Sequence, residues 1–221
     1  MITSAANALV RLERLADAEK AAIFSRYHKV DRPYLGVPNP RLDEIAKTIV
    51  AAVPPEVALQ IADELWQTNI FEARVTAAKI FWRPQLKRFA EIWTLIEVWK
   101  EDFDSWAIAD AVAKGGARCL IADPGLLDIL EANWTPHANM WVRRAALVFT
   151  LPFAKKGRDP SRMLGWAAGY VDDREWFIQK AIGWWLRELS KHDPARVRAF
   201  VDGHGERMAA FARREATKYL D

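Results

Sequence analysis

The sequence predicts an all-α protein, on the strength of three observations. Apolar residues recur at the 3.6-residue period of amphipathic helices along most of the 221 residues. Proline and glycine fall mostly between these segments, as in "RPYLGVPNP", "GRDP" and "DGHG". No alternating strand pattern and no Asn-Gly hairpin signal interrupts them. We therefore expect about twelve helices, over residues 4–20, 41–52, 55–66, 71–81, 84–99, 104–114, 123–131, 139–151, 160–170, 173–191, 194–201 and 204–219.

A repeat predicts how these helices are arranged. Four aromatic residues are spaced 35 residues apart, and a small residue follows each of them five positions later. The pairs are Phe71 with Thr76, Trp106 with Ala111, Trp141 with Ala146, and Trp176 with Ala181. A helical-hairpin period in the thirties is typical of solenoids. We predict a curved HEAT-like α-solenoid of antiparallel helix pairs, with one helix of each pair on the concave face. No linker composition divides the chain, so we expect one domain over residues 1–221.

Composition and charge narrow the class of protein. The single cysteine, Cys119, excludes an internal disulfide and is expected to be a small buried hydrophobe. The sequence contains no run of 18 apolar residues, so it predicts no transmembrane helix. Its charged N-terminus is unlike a secretory signal, and we therefore expect a cytoplasmic protein. Residues 111–221 hold 18 Lys and Arg against 13 Asp and Glu, whereas residues 1–110 hold 14 against 16. This basic bias is compatible with a polyanionic partner.

The segment "KAIGWWLREL" places two adjacent tryptophans on opposite sides of one helix. Trp185 shares the apolar side and is expected in the core. Trp184 falls on the other side, with the cations Lys180, Arg187 and Lys191. The stems of these cations could simply cover its ring. Alternatively, the aromatic face and the cations together contact a polyanion, because aromatic rings stack on bases and cations neutralise phosphates.

Two further segments predict polar side chains on outward helix faces. In "FDSWAIADAVA", residues Ala107, Ile108, Ala111 and Val112 form the apolar face. Trp106 and Asp110 then lie together on the other side, because they are four positions apart. In "NMWVRRAALVF", the inward side is apolar and Arg144 is expected to point outward. If the repeats stack in register, these faces form one wall, lined by Trp106, Asp110, Arg144, Lys180, Trp184 and Arg187.

Other kinds of site have little support in the sequence. It contains no glycine-rich phosphate loop and no nucleophile elbow. The four histidines are scattered without metal-ligand spacing, at His28, His137, His192 and His204.

At these residues the sequence resembles the AlkD-type DNA glycosylases, the HEAT-like alkylpurine repair enzymes. The matching stretches, in order, are "SRYHK…YLGVPNPR", "ADELWQTNIFEARVTAAKI", "DSWAIADAV", "NMWVRRAALVF", "EWFIQKAIGWWLREL" and "RREATKYL". The resemblance implies that Trp106, Asp110 and Trp184 surround the damaged nucleotide, that Arg144 and Arg187 contact the DNA backbone, and that Tyr27 lies near the DNA. Lys180 is expected to contact the DNA backbone as well, because it shares the cationic side of its helix with Trp184 and Arg187. One position departs from the family pattern, because Pro38 stands where a glutamine is common.

The resemblance implies hydrolysis of the N-glycosidic bond of cationic N3- or N7-alkylated purines in double-stranded DNA. We expect a monomer that needs no cofactor and no metal and does not bind membranes. The alternative is a non-catalytic HEAT-like solenoid that binds DNA or protein, since such folds are commonly scaffolds. A third interpretation is an RNA or phosphopeptide adaptor that uses Arg144 and Arg187, although Asp110 would repel its ligand.

Overall fold

A computed structural model describes residues 1–220. These residues form thirteen α-helices and no β-strand, which confirms the all-α class. The helices are α1 (Ala5–Glu13), α2 (Ala18–His28), α3 (Asn39–Ala52), α4 (Pro55–Gln67), α5 (Phe71–Ile80), α6 (Phe89–Trp99), α7 (Trp106–Ala122), α8 (Leu126–Ile129), α9 (Met140–Phe149), α10 (Ser161–Gly169), α11 (Trp176–Ser190), α12 (Pro194–His204) and α13 (Ala210–Ala216). Short 3-10 turns cover Lys100–Asp102 and Leu151–Ala154, and a π turn covers Leu130–Trp134.

The helices form two compact units, Met1–Ala122 and Asp123 onward. In the first unit α5 packs against α3, α4 and α7, and in the second α11 packs against α9, α12 and α13. Because α5 has neighbours on several sides, all ten of its residues are buried. A single domain over the whole chain stays a prediction.

The repeat read from the sequence coincides with helix starts. Phe71, Trp106 and Trp176 each begin a helix, and Trp141 is the second residue of α9. The structure adds a fifth member that the sequence analysis missed. Phe211 follows Trp176 by the same 35 residues, lies at the start of α13, and stacks on the Trp176 ring with centroids 5.5 Å apart. The period therefore continues to the end of the described chain.

The N-terminal helix boundaries differ from the prediction. The expected helix over residues 4–20 is two helices, because the Asp17 side chain accepts a hydrogen bond from the Lys20 backbone N–H and starts α2 there. Helix α2 then continues to His28, which was expected to be loop. Lys29 ends it in the left-handed conformation, with φ of 56°.

Buried polar contacts hold the segment after α2 against α5. The buried carboxylate of Glu72 accepts hydrogen bonds from the backbone N–H groups of Leu35, at 2.9 Å, and Gly36, at 2.7 Å. Gly36 has φ of 76°, and a Cβ there would lie 2.2 Å from the Asp17 carbonyl oxygen, so only glycine fits. These contacts hold the segment that follows α2 against the first turn of α5.

Two further findings concern single features of the described residues. Cys119 is fully buried, as predicted, and burial raises the pKa of its thiol to about 12. No helix within residues 1–220 combines the length and apolar character that a membrane crossing needs.

Candidate functional site

A cavity of about 400 Å³ opens in the first unit, between α2, α3, α5 and α7. We call it the aromatic cavity, because six of its thirteen lining residues carry an aromatic ring. Its ring-bearing residues are Phe24, Tyr27, His28, Phe71, Trp82 and Trp106. Asp110 also lines it and is the only acidic residue among the described lining residues. The predicted pair of Trp106 and Asp110 therefore lies in one cavity, one helical turn apart on α7.

The Trp106 ring is oriented by two side chains from the end of α2. Tyr27 meets it edge-on, with centroids 6.0 Å apart and an interplanar angle of 89°. His28 lies at 5.7 Å with its plane tilted by 51°. Tyr27, which the family resemblance placed near DNA, is 67 % exposed. The α2 segment that the sequence analysis left as loop thus positions the candidate tryptophan.

His28 stacks inside this cluster and was missed as a site residue. Its ring lies 4.5 Å from the Phe71 ring and 6.0 Å from the Tyr34 ring. Burial, with a smaller contribution from the nearby charge of Arg32, lowers the pKa of His28. The imidazole is therefore expected to be neutral near pH 7, which leaves the cavity without a cation at this position.

Trp82 also lines the aromatic cavity, and two cations lie over its ring. Its indole N–H donates to the carbonyl of Ala111 at 2.9 Å. The ammonium nitrogens of Lys79 and Lys114 lie 4.0 Å and 4.9 Å from the ring centroid. Burial lowers the pKa of Lys79, whose ammonium lies 3.6 Å from the Asp43 carboxylate.

Helix α7 contacts the core with a different set of residues from the one predicted. Ile108 and Val112 are buried, as expected. Ala107 and Ala111 instead line the aromatic cavity and are partly exposed. The prediction that Ala107 and Ala111 belong to the inward apolar face is therefore wrong, because both line the same cavity as Trp106 and Asp110.

A second cavity, the Trp184 cavity, lies in the second unit and encloses about 400 Å³. Trp184 and the 3-10 turn Leu151–Ala154 line it, together with Lys155, Glu188 and His192. Trp185 is fully buried, as predicted. Trp184 is only partly buried, so the predicted difference in burial between the two adjacent tryptophans is confirmed, although the ring is less exposed than its place among the cations indicated.

The cations beside Trp184 are paired with carboxylates, which the sequence analysis did not foresee. Lys180 donates to Glu215 at 2.6 Å, and Arg187 pairs with both Glu215 and Glu188. Helix α13 brings Glu215 to this position because Gly183 has no side chain. A Cβ at Gly183 would lie 2.8 Å from the carbonyl oxygen of Ala212. The 35-residue spacing between Lys180 and Glu215 was the signal in the sequence.

Arg144 does not point outward as predicted. Only 4 % of it is exposed, and one guanidinium nitrogen donates to the Phe177 carbonyl at 2.9 Å. The expected inward residues Val142, Ala145, Ala146 and Phe149 are all buried. Leu147 and Val148 are buried too, so α9 is covered nearly all round and leaves no fully exposed face for Arg144.

Pro38, the position that departs from the family pattern, is exposed in an extended conformation before α3. It has no side-chain donor. The next residue, Asn39, lines the aromatic cavity and supplies an amide there.

Within residues 1–220, no group of three or more His, Cys, Asp or Glu side chains is arranged to hold a metal ion.

The aromatic cavity is suited to an organic cation, because a carboxylate and the faces of aromatic rings both attract positive charge. A model of the DNA alkylation repair enzyme family matches residues 8–220. The chain belongs to this family. Among curated protein sequences, none gives a significant match.

Three solved structures share the fold of this chain. The protein is similar to a predicted DNA alkylation repair enzyme from Enterococcus faecalis, with 25 % identity, a TM-score of 0.80, and 93 % of this chain and 96 % of that chain covered. AlkD2 from Streptococcus mutans shares the fold, with 17 % identity, a TM-score of 0.61, and 92 % and 99 % covered. The smu.31 protein from Streptococcus mutans UA159 shares it with 19 % identity, a TM-score of 0.64, and 82 % and 92 % covered.

Proposed function

We propose that this member of the DNA alkylation repair enzyme family is a DNA glycosylase. It hydrolyses the N-glycosidic bond of cationic N3- or N7-alkylated purines in double-stranded DNA. The observation that carries the proposal is the placement of Asp110 and Trp106 in one aromatic cavity of a chain from this family.

The reaction needs little acid catalysis, because an N3- or N7-alkylated purine is already cationic. As the bond between C1′ and the base breaks, its electron pair neutralises the base, which leaves as a neutral molecule. Positive charge then develops on the sugar. A water oxygen bonds to C1′ and releases a proton. The step therefore gains most from a negative charge near the sugar and from a fixed water.

Asp110 is proposed as the group that supplies both effects. Its carboxylate stabilises the oxocarbenium-like sugar and orients the attacking water. Trp106, held by Tyr27 and His28, offers an aromatic face to the cationic nucleotide. Trp184 is assigned an aromatic contact to the same lesion by family resemblance. Each such contact contributes about 0.5–2 kcal/mol.

Four residues are proposed as DNA contacts. Tyr27 is exposed at the rim of the aromatic cavity and is free to approach a backbone. Lys180 and Arg187 are partly exposed but share the Glu215 carboxylate, which reduces the charge that they present. Arg144 is buried, and a contact between its guanidinium and the DNA backbone is proposed from the family resemblance.

The decisive experiment uses duplex DNA that carries one N7-methylguanine. Incubation with the protein should release free N7-methylguanine and leave an abasic site, measured by chromatography and by strand cleavage in alkali. An undamaged duplex of the same sequence is the control. If the protein binds the damaged duplex but releases no base, the non-catalytic alternative is supported and the glycosylase proposal fails.

A further inference from the structure

The exposed turn Lys155–Arg158 directly follows the 3-10 turn that lines the Trp184 cavity. We propose that this turn is the main phosphate-binding element of the second unit. This inference rests on the proposed function in one respect, since it takes a DNA backbone as the ligand. It assigns that backbone to residues outside the set predicted from the sequence.

The turn carries three cations that form no ion pair within residues 1–220. Lys155, Lys156 and Arg158 are all exposed. The neighbouring carboxylate, Asp159, is engaged elsewhere. It accepts hydrogen bonds from Ser161 and lies 3.2 Å from a guanidinium nitrogen of Arg196. The charge of the turn is therefore not neutralised by its own unit.

The backbone gives the turn a defined shape. The N–H of Arg158 donates to the carbonyl of Lys155 at 3.2 Å, and Gly157 adopts φ of 84°, which a residue with a side chain rarely does. The Arg158 guanidinium lies 5.6 Å from the centroid of the Phe153 ring. These contacts reduce the conformational freedom lost when a phosphate binds, compared with an unstructured basic segment.

The position of Lys155 links the turn to the candidate site. Lys155 lines the same cavity as Trp184 and Glu188. The Glu188 carboxylate pairs with Arg187 and Lys191 and not with Lys155. A backbone that passes Trp184 therefore meets Lys155 at the cavity. Lys180 and Arg187 are less favourable contacts, because the Glu215 carboxylate that pairs with both of them remains beside any phosphate and repels it.

The test is the salt dependence of binding to an undamaged duplex. The slope of log affinity against log salt is negative, and the double variant Lys155→Gln with Lys156→Gln should reduce its magnitude by about 1.8, since each phosphate contact contributes about 0.9. Lys180→Gln should reduce the magnitude of the slope by less than half of the contribution of one phosphate contact. Lys47→Gln, which removes an exposed and unpaired lysine from α3 of the first unit, should leave it unchanged.

Three outcomes would overturn the proposal. They are a double variant with the parental slope, a larger loss for Lys180→Gln than for the double variant, and a parent protein whose duplex binding does not depend on salt. The glycosylase proposal is judged separately, by release of free base. A parent that releases no base, combined with a reduced slope in the double variant, would reject the glycosylase and keep the turn. Base release combined with an unchanged slope would keep the glycosylase and reject the turn.

Discussion

The two cavities hold an aromatic side chain beside charge in different ways. In the first unit, Trp106 is braced by Tyr27 and His28 beside the single carboxylate of Asp110. In the second unit, Trp184 lies against an apolar 3-10 turn in a cavity that is also lined by Lys155, His192 and Glu188. The aromatic cavity favours a cation, whereas the cationic turn next to the Trp184 cavity favours an anion. The two units are therefore expected to attract ligands of opposite charge, although each has a tryptophan on a helix that begins at a member of the 35-residue series.

The largest expected effect tests the orientation of the adjacent tryptophans Trp184 and Trp185. Trp185→Ala should lower the free energy of unfolding by about 3–5 kcal/mol, because it empties a fully buried site in α11. Thermal or denaturant unfolding measures it. Trp184→Ala is the matched control and should cost much less, because its ring is partly exposed. If Trp184→Ala is the more damaging change, the assigned orientation of α11 is wrong.

The second largest effect is expected from loss of the Asp110 carboxylate in the aromatic cavity. Asp110→Asn should slow release of N7-methylguanine by about 100- to 1,000-fold under single-turnover conditions, the scale for loss of one preorganised electrostatic group. Binding to DNA should hold or improve, because a negative charge leaves the cavity. Asp202→Asn, an exposed aspartate on α12, is the control and should keep the parental rate. Equal rates for Asp110→Asn and the parent would remove this carboxylate from the reaction.

A smaller effect is expected for Trp184 in catalysis. Trp184→Ala should slow release of a cationic base by about tenfold, since about 1.4 kcal/mol of lost transition-state contact corresponds to that factor. Trp176→Ala changes another tryptophan of the same helix, one that is 52 % exposed, and should have little effect. A parental rate for Trp184→Ala would separate the Trp184 cavity from the chemistry and confine catalysis to the first unit.

The smallest effect is a pH dependence of stability in the aromatic cavity. Burial lowers the pKa of His28 below its ordinary value of 6.5. As pH falls through 6.5, the unfolded chain binds a proton before the folded chain does, so the stability contributed by neutral His28 decreases. His28→Phe keeps an aromatic ring without titration. Its melting temperature should therefore fall less than that of the parent between pH 7 and pH 5, and parallel curves would contradict the assignment.

The sequence by itself determined the helical class and much of the repeat. Phe71, Trp106 and Trp176 lie in predicted helices and each begins a helix in the structure, because an amphipathic period is a local property of the chain. It also placed Trp106 and Asp110 one turn apart on one helix, and it separated buried Trp185 from Trp184. These results depend only on the geometry of a single helix.

Only the tertiary structure decided which charges remain available for a ligand. One helix, read alone, shows Lys180 and Arg187 as outward cations, but Glu215 arrives from α13 and pairs with both. Arg144 is outward by helical phase yet buried by its surroundings, and the paired and unpaired cations of the second unit cannot be told apart by residue type. The physical reason is that burial and ion pairing depend on neighbours distant in sequence, whereas helical periodicity is set by the backbone of each segment.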